Sequence, residues 1–157
     1  MSTSESKIWL KTDVVKIVLH DVPDRPGMAA DIFQAVSQAG INVDLVVQTA
    51  RYSPQADISL VVNVHDADQT VQLLKKLSAI LDVREISRSD DVALIVLEMD
   101  NLSKIPGIAA RMFHALADQQ INIELISSSM NSIECLIALD RASEAQEALT
   151  REFSAEL

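Results

Sequence analysis

Asp24-Arg25-Pro26-Gly27 begins the stretch that decides the fold, which ends at Gln48. This stretch predicts a turn, a helix and a strand in succession. Pro26 has a fixed φ and no N–H group, which suits a first helical turn, and Gly27 allows a close backbone approach. Apolar side chains then recur at helical spacing and predict a helix over residues 27–39, with the inner stripe Ala29, Ile32, Phe33 and Val36. Gly40 is predicted to end this helix as a left-handed cap.

Residues 41–49 alternate in polarity and predict a strand whose apolar face is Ile41, Val43, Leu45 and Val47. The whole unit returns ~80 residues later, and a fixed offset of this kind indicates an internal repeat. Pro106-Gly107 matches Pro26-Gly27, and the strand start Ile121-Asn122 matches Ile41-Asn42. The repeat therefore predicts two similar small modules in the 157 residues, with a candidate site at the turn before each helix.

Composition narrows the class of protein. The net charge of −10 argues against a nucleic-acid partner, because phosphate binding needs clustered Lys and Arg. The single Cys135 excludes an intramolecular disulfide and suits a reducing compartment. The polar lead (residues 1–6) is predicted to be disordered and unlike a signal peptide, and no apolar run approaches the ~18 residues of a membrane span. We therefore expect a soluble cytoplasmic protein with no membrane partner.

The pattern of elements predicts the topology βαββαβ for the first module. Its strands are predicted at residues 14–19, 41–49, 58–64 and 83–87, with a loop at 51–55 and a second helix capped by Asp66. A turn is expected at residues 11–13 and a link at 88–91. Both helices would cover one side of an antiparallel sheet, as in ferredoxin-like folds.

The second module lacks a strand of its own. We predict three strands in it, at 92–98, 121–127 and 133–139, and a helix at 107–119. A capping box from Ser143 to Gln146 opens a last helix, and no fourth strand can follow Phe153. The unassigned Ile8-Trp9-Leu10 is the candidate to complete it. We therefore predict an α+β fold of two ferredoxin-like modules, residues 13–88 and residues 89–157 plus 6–12, the second completed by the N-terminal strand.

The chemistry available favours binding over catalysis. No catalytic residue, metal-ligand spacing or cofactor motif is recognisable, and the three histidines lie far apart, although His20 ends a strand near the Asp24 turn. A helix N-terminus attracts a carboxylate, while Asp24 and Asp44 could receive an ammonium group. Asn42 and Gln48 share a strand face by parity and could hydrogen-bond either group. The alternative is that Pro-Gly only starts the helix and the polar residues only face water.

These residues resemble a known family. Val22-Pro23-Asp24-Arg25-Pro26-Gly27 with Ile41-Asn42-Val43-Asp44 resembles the first ACT module of the aspartate kinase regulatory region. Pro106-Gly107-Ile108-Ala109-Ala110-Arg111-Met112-Phe113 with the segment from Ile121 to Ser127 resembles its second. The resemblance implies tandem βαββαβ modules packed side by side, a homodimer or higher even oligomer with continuous sheets, and a lysine or threonine effector bound near the first turn. The matching effector-binding positions are Asp24, Pro26, Gly27, Ala29, Asn42 and Gln48.

The sequence also departs from that family. We expect the family's N-terminal kinase domain to be lacking, and Met130 and Glu134 change the charges after the second module's second strand. We therefore expect no enzyme activity but an amino-acid-binding regulatory protein or subunit, with a partner enzyme among its partners. The alternatives are a sensor for a different enzyme and an oligomerisation scaffold with no metabolite ligand. Asp24 corresponds to Lys104 and Gln48 to Ser128, so the first module is predicted to bind the effector and the second is not.

Overall fold

The computed structural model describes residues 6–50 and 54–157, and within them the chain separates into two compact units. The first unit is Asp13–Asp90, and the second joins Asp91–Leu157 to the described residues of Met1–Thr12. We call them the first and second modules. The disorder predicted for residues 1–6 and the loop predicted at 51–55 fall mainly outside the described residues.

The first module has the order βαββαβ. Strand β1 (Lys7–Pro23) enters it at Asp13, and helix α1 (Met28–Gln38), strands β2 (Val43–Ala50) and β3 (Gln55–Asn63), helix α2 (Val64–Leu81) and strand β4 (Glu85–Glu98) follow. The strand order is β2-β3-β1-β4, and β3 pairs antiparallel with both β1 and β2. Strands β1 and β2 are therefore parallel, so their C-terminal ends lie at the same end of the sheet.

The second module repeats this plan with a borrowed strand. It uses the first residues of β1, then β4 from Asp91, helix α3 (Ile108–Asp118), strands β5 (Ile123–Ser128) and β6 (Ser132–Ala138) and helix α4 (Ala142–Glu152). The strand order is β1-β4-β6-β5, with β6 antiparallel to β4 and β5. Ile8 and Leu10 pack against its core. The predicted fold class is confirmed, including completion of the second module by the N-terminal strand.

The predicted turn at residues 11–13 is wrong. The predicted link at 88–91 does contain the boundary between the two units, but it does not interrupt the strand. Both segments are continuous β-structure inside β1 and β4, which run for 17 and 14 residues. Neither segment contains the Gly or Pro that would interrupt a strand. Their polar side chains instead use the solvent side of the pleat: Arg88 Nε donates to Asp90 Oδ1 at 2.7 Å, two positions along the same face.

Two predicted helix caps are wrong, and α1 and α3 each begin one residue later than predicted. The cap of α2 is Asn63, whose side chain accepts the His65 N–H at 2.9 Å, so Asp66 lies inside the first turn. Helix α4 begins at Ala142 after a short 3-10 turn, which places Ser143 within the helix rather than at its cap. Helix α1 begins at Met28, so Pro26 precedes it and Gly27 is the N-cap.

The inner stripe predicted for α1 is largely correct. Ile32 and Val36 are buried and Phe33 packs against the core, whereas Ala29 is exposed and Met28 is buried in its place. The second module has the same stripe, with Ile108, Met112 and Leu116 buried. Met28 extends an i, i+4, i+8 stripe and buries more apolar area than Ala29 would.

A β-bulge divides the apolar face predicted for β2. Val43 lies opposite Val62, but Leu45 lies opposite Val61, so Asp44 is the extra residue. Each residue after the bulge therefore points to the other side of the sheet than strict alternation predicts. Val46 and Gln48 lie opposite Leu60 and Ile58, which belong to the core beneath the helices. The second module has the same bulge at Glu124, which turns Ile126 and Ser128 towards its helices.

Candidate functional site

The Asp24 turn is held by backbone hydrogen bonds at the end of β1. The Asp24 N–H donates to the Pro54 carbonyl at 2.9 Å, and the Met28 N–H donates to the Arg25 carbonyl at 3.3 Å. Gly27 has φ 94°, a left-handed conformation that strains any residue with a Cβ. The turn consequently depends on glycine at this position, as does its counterpart at Gly107, where φ is 87°.

The structure gathers some of the predicted effector-binding residues but not all of them. Asp24, Pro26, Gly27 and Ala29 are exposed and contiguous around the turn. Gln48 joins them, because it lies near the C-terminal end of β2, on the side of the sheet that α1 covers. The bulge at Asp44 is what brings Gln48 to that side.

Asn42 lies at the other end of the module. It precedes β2, whose first residue pairs with Val62, whereas Gln48 pairs with Ile58. Six residues of strand span roughly 20 Å. Asn42 also lies before the strand begins, so the predicted sharing of a face with Gln48 is wrong. Within one chain the structure does not bring Asn42 to the turn.

A polar network braces the strand end just before the turn. His20 Nε2 lies 2.7 Å from Ser87 Oγ, and its Nδ1 lies 3.8 Å from Asp57 Oδ2. The other oxygen of Asp57 accepts the Asp21 N–H at 3.0 Å, and the Asp21 carboxylate pairs with Arg84. Asp21 has φ 54° at a register irregularity in β1. Sequence reasoning noted His20 near the turn but missed the network, because its members come from three strands and a connecting segment.

The equivalent turn of the second module opens onto a cavity of about 380 Å³. Its lining comes from the 3-10 turn Leu102–Lys104, the start of α3 and the helix side of β5 and β6. The lining residues are Leu102, Ser103, Ile105, Gly107, Ile108, Ala109, Phe113, Ile126, Ser128, Ser129 and Ile133. Sequence analysis identified this turn but did not predict a cavity. Ile105 and Ile126 are exposed there, but only the structure reveals their exposure, so the sequence carries no clear signal of the cavity.

The walls of this cavity are tied together by hydrogen bonds. The Asn101 N–H donates to Asn131 Oδ1 at 3.0 Å, and the Ser103 N–H donates to the Met130 carbonyl at 3.1 Å. The Ser129 and Ser132 hydroxyls are 2.9 Å apart across the turn between β5 and β6. These contacts hold the segment before α3 against the turn that follows β5.

The Cys135 thiol is protonated at neutral pH. Burial raises the pKa of the Cys135 thiol to about 12, so the thiolate is scarce at neutral pH. Within residues 6–50 and 54–157, no group of three His, Cys, Asp or Glu side chains is placed to hold a metal ion. Among the helices of the same residues, none combines the length and apolar character needed to cross a membrane.

Comparisons with known proteins agree with this architecture. ACT domain models match residues 16–82 and 95–153, one in each module. The chain superimposes on the regulatory subunit of aspartate kinase from Thermus thermophilus with a TM-score of 0.89 and 28% identity, covering 97% of this chain and 99% of that one. For the regulatory subunit from Thermus flavus the TM-score is 0.86 at 30% identity, covering 93% and 96%.

The chain is also similar to longer proteins. It is 32% identical over 140 residues to the aspartokinase of Corynebacterium efficiens, which covers 88% of this chain and 33% of that protein. The chain thus spans about a third of the length of the curated relatives it matches. In the two Thermus subunits, the superimposed part includes both modules.

Proposed function

Because the chain belongs to the ACT domain family, we propose that it acts as the amino-acid-sensing regulatory region of an aspartate kinase. The observation that carries the proposal is the near-complete match, in both directions, to proteins described as regulatory subunits of that enzyme. In this role the chain transfers no phosphoryl group itself. It biases a catalytic partner by binding an effector, which requires a different affinity for the effector in two states of the assembly.

The proposed effector site is the Asp24 turn, with functional domains at residues 13–88 and at 89–157 plus 6–12. The first turn of α1 offers N–H groups to the α-carboxylate of an amino acid, and Asp24 offers a carboxylate to its ammonium group. The Gln48 amide can donate a hydrogen bond to the ligand's carboxylate or accept one from its ammonium group. Pro26, Gly27 and Ala29 shape the turn and leave room beside the backbone. We leave Asn42 out of this site because of its distance along β2.

Lysine and threonine are the proposed effectors, and the cytoplasm is the proposed location. The proposed assembly is a homodimer or higher even oligomer associated with a catalytic partner. Small aliphatic modules with open sheet edges gain stability when a second copy covers those edges symmetrically. The competing function is a scaffold that assembles in the same way and binds no metabolite. The exposed carboxylate at the Asp24 turn favours the sensor, because assembly alone has no use for a charge there.

Isothermal titration calorimetry with a panel of amino acids tests the proposal. Binding of lysine or threonine supports it, binding of a different amino acid indicates a sensor for another enzyme, and no binding indicates a scaffold. For the amino acid that binds, Asp24→Ala removes a charge-assisted hydrogen bond of ~1.5–3 kcal/mol, so affinity should fall roughly ten- to a hundredfold. Lys104→Ala, the matched change in the second module, should alter it little. Equal losses would contradict a site in the first module.

A further inference from the structure

The two modules share an unusual backbone conformation just before their turns. Asp21 and Asn101, which are equivalent at the offset of the repeat, have φ 54° and φ 56°. This left-handed conformation is costly for residues with a Cβ, although Asp and Asn adopt it more readily than most. Each lies three residues ahead of the turn's charged residue, which is Asp24 in the first module and Lys104 in the second. The same departure from extended backbone therefore precedes both helices.

In both modules a side-chain oxygen holds the left-handed residue. The Asp21 N–H donates to Asp57 Oδ1 at 3.0 Å. The Asn101 N–H donates to Asn131 Oδ1, also at 3.0 Å. Asp57 lies within β3, whereas Asn131 lies in the connection between β5 and β6. Because the same hydrogen bond recurs with different side chains from different positions, its recurrence favours a requirement for the contact itself.

Asp57 lies directly opposite a β-bulge in the first module. The register between β1 and β3 shifts between Leu19 and Val22. In that interval β1 has two residues, His20 and Asp21, whereas β3 has one, Asp57. Asp57 contacts both of them, because its Oδ1 accepts the Asp21 N–H and its Oδ2 lies 3.8 Å from His20 Nδ1. A bulge re-aims the chain that follows it, so these contacts decide where the turn begins.

The neighbours of Asp57 connect it to both sides of the proposed effector site. The Asp24 N–H donates to the carbonyl of Pro54, three residues before Asp57, at 2.9 Å. Gln48 lies opposite Ile58, the residue after Asp57, on the other side of β3. The contact at the bulge therefore fixes the segment that leads into Asp24 relative to the strand that holds Gln48.

We propose that Asp57 is a positioning residue for the Asp24 turn, and that its hydrogen bond to Asp21 sets the affinity of the turn for an amino acid. This inference rests on the function proposed above. Asp57 acts through the backbone of Asp21 and not on the ligand. A binding site needs its groups held within about 0.5 Å of the productive geometry. Without the hydrogen bond the bulge relaxes, and Asp24 and the first N–H groups of α1 move relative to Gln48.

Amide hydrogen exchange in the full chain, measured by NMR, tests the position of the turn without a ligand. Asp57→Ala removes the acceptor and should speed exchange at Asp21 and Asp24 about tenfold or more. Asp57→Asn keeps an oxygen acceptor and should restore most of the protection. Asn131→Ala is the matched change in the second module and should leave Asp24 unaffected. Unchanged exchange at Asp24 in Asp57→Ala, or no restoration by Asp57→Asn, would overturn the proposal.

A double variant tests the route through Asp21. Glycine adopts φ 54° without strain, so it needs no hydrogen bond to stay in that conformation. Asp57→Ala combined with Asp21→Gly should therefore recover much of the protection at Asp24 that Asp57→Ala loses. The double variant also keeps the test decisive where Asp57→Ala alone does not fold. Failure of the double variant to fold, or to protect Asp24, would overturn the proposed route.

Calorimetry with lysine and threonine tests the effect on affinity. Asp57→Ala should weaken the amino acid that binds about tenfold, Asp57→Asn less than about threefold, and Asn131→Ala not at all. Wild-type affinity in Asp57→Ala, in a chain whose turn exchanges faster, would overturn the link between position and affinity. If the wild-type chain binds neither amino acid, the proposed function fails, and the exchange data alone decide whether Asp57 positions the turn.

Discussion

Arg111 fastens the C-terminal segment to α3, and its removal should cost measurable stability. Its guanidinium donates to Glu152 Oε1 at 2.7 Å, to Glu156 Oε1 at 2.6 Å and to the Glu152 carbonyl at 2.8 Å. The same group lies 4.6 Å from the centre of the Phe153 ring. The hydrogen bonds to the Glu156 and Glu152 carboxylates raise the pKa of Arg111, and the hydrogen bond from Arg111 lowers the pKa of Glu156. One cation thus holds two carboxylates, a carbonyl and an aromatic face.

The expected cost of Arg111→Met is about 1–2 kcal/mol. Charge-assisted hydrogen bonds are worth ~1.5–3 kcal/mol when protected from water, and exposed ion pairs ~0–1 kcal/mol. The side chains here are 30–37% exposed, so the pairs fall between those limits. The cation–π contact adds about 0.5–1 kcal/mol at such a site. Met retains an apolar stem, so the change isolates the charge. For a chain of this size the melting temperature should fall by roughly 2–8 °C.

Thermal unfolding followed by circular dichroism at pH 7 measures this effect. Arg151→Met, at an exposed position of α4, is the matched control and should shift the melting temperature by less than about 1 °C. Glu156→Gln should give an intermediate loss. Because the folded pKa of Glu156 lies below the ordinary 4.5, its contribution is complete above that pH and disappears as pH falls through the folded value. The reasoning fails if Arg111→Met and Arg151→Met melt together, or if the Glu156→Gln deficit persists in acid.

Three further outcomes are expected. Deleting residues 1–12 should lower the melting temperature or cause aggregation, because the sheet of the second module then has an open edge beside β4. An unchanged melting temperature would disprove that β1 completes this sheet. Light scattering at micromolar concentration should give the mass of a dimer or higher even assembly, and a monomer would refute it. Gly27→Ala should destabilise the chain by about 1 kcal/mol or more and lower its affinity for the effector, because φ 94° strains a residue with a Cβ. A melting temperature and an affinity equal to those of the wild type would show that the turn relaxes freely.

The architecture was predictable because several independent patterns agree on it. The matched Pro-Gly turns, the two aliphatic helices and the missing final strand all require tandem βαββαβ modules. The errors concern places where polarity alone was used to end an element. Residues 11–13 and 88–91 are polar, yet a strand with a solvent-facing side accommodates such residues without breaking.

The candidate site was only partly predictable, for a geometric reason. The position of Gln48 depends on the bulge at Asp44, and nothing in the alternation of residues 41–49 reveals an inserted residue. The bulge moves Gln48 to the helix side, while Asn42 stays beyond the strand's start. The His20 network was hidden because its members are 67 residues apart at the extreme and meet only through strand pairing.

The division of β1 between the modules also constrains the order in which the chain can fold during synthesis. Lys7–Thr12 is made first, but the rest of its module begins at Asp91, about 80 residues later. At ~5–20 residues per second the ribosome needs roughly 4–16 s to supply that partner, far longer than a small module needs to collapse. The first module can therefore form while Lys7–Thr12, the part of β1 that belongs to the second module, still has unpaired backbone groups. For several seconds of each synthesis, Ile8, Trp9 and Leu10 in that segment are exposed to chaperones and to other copies of the chain.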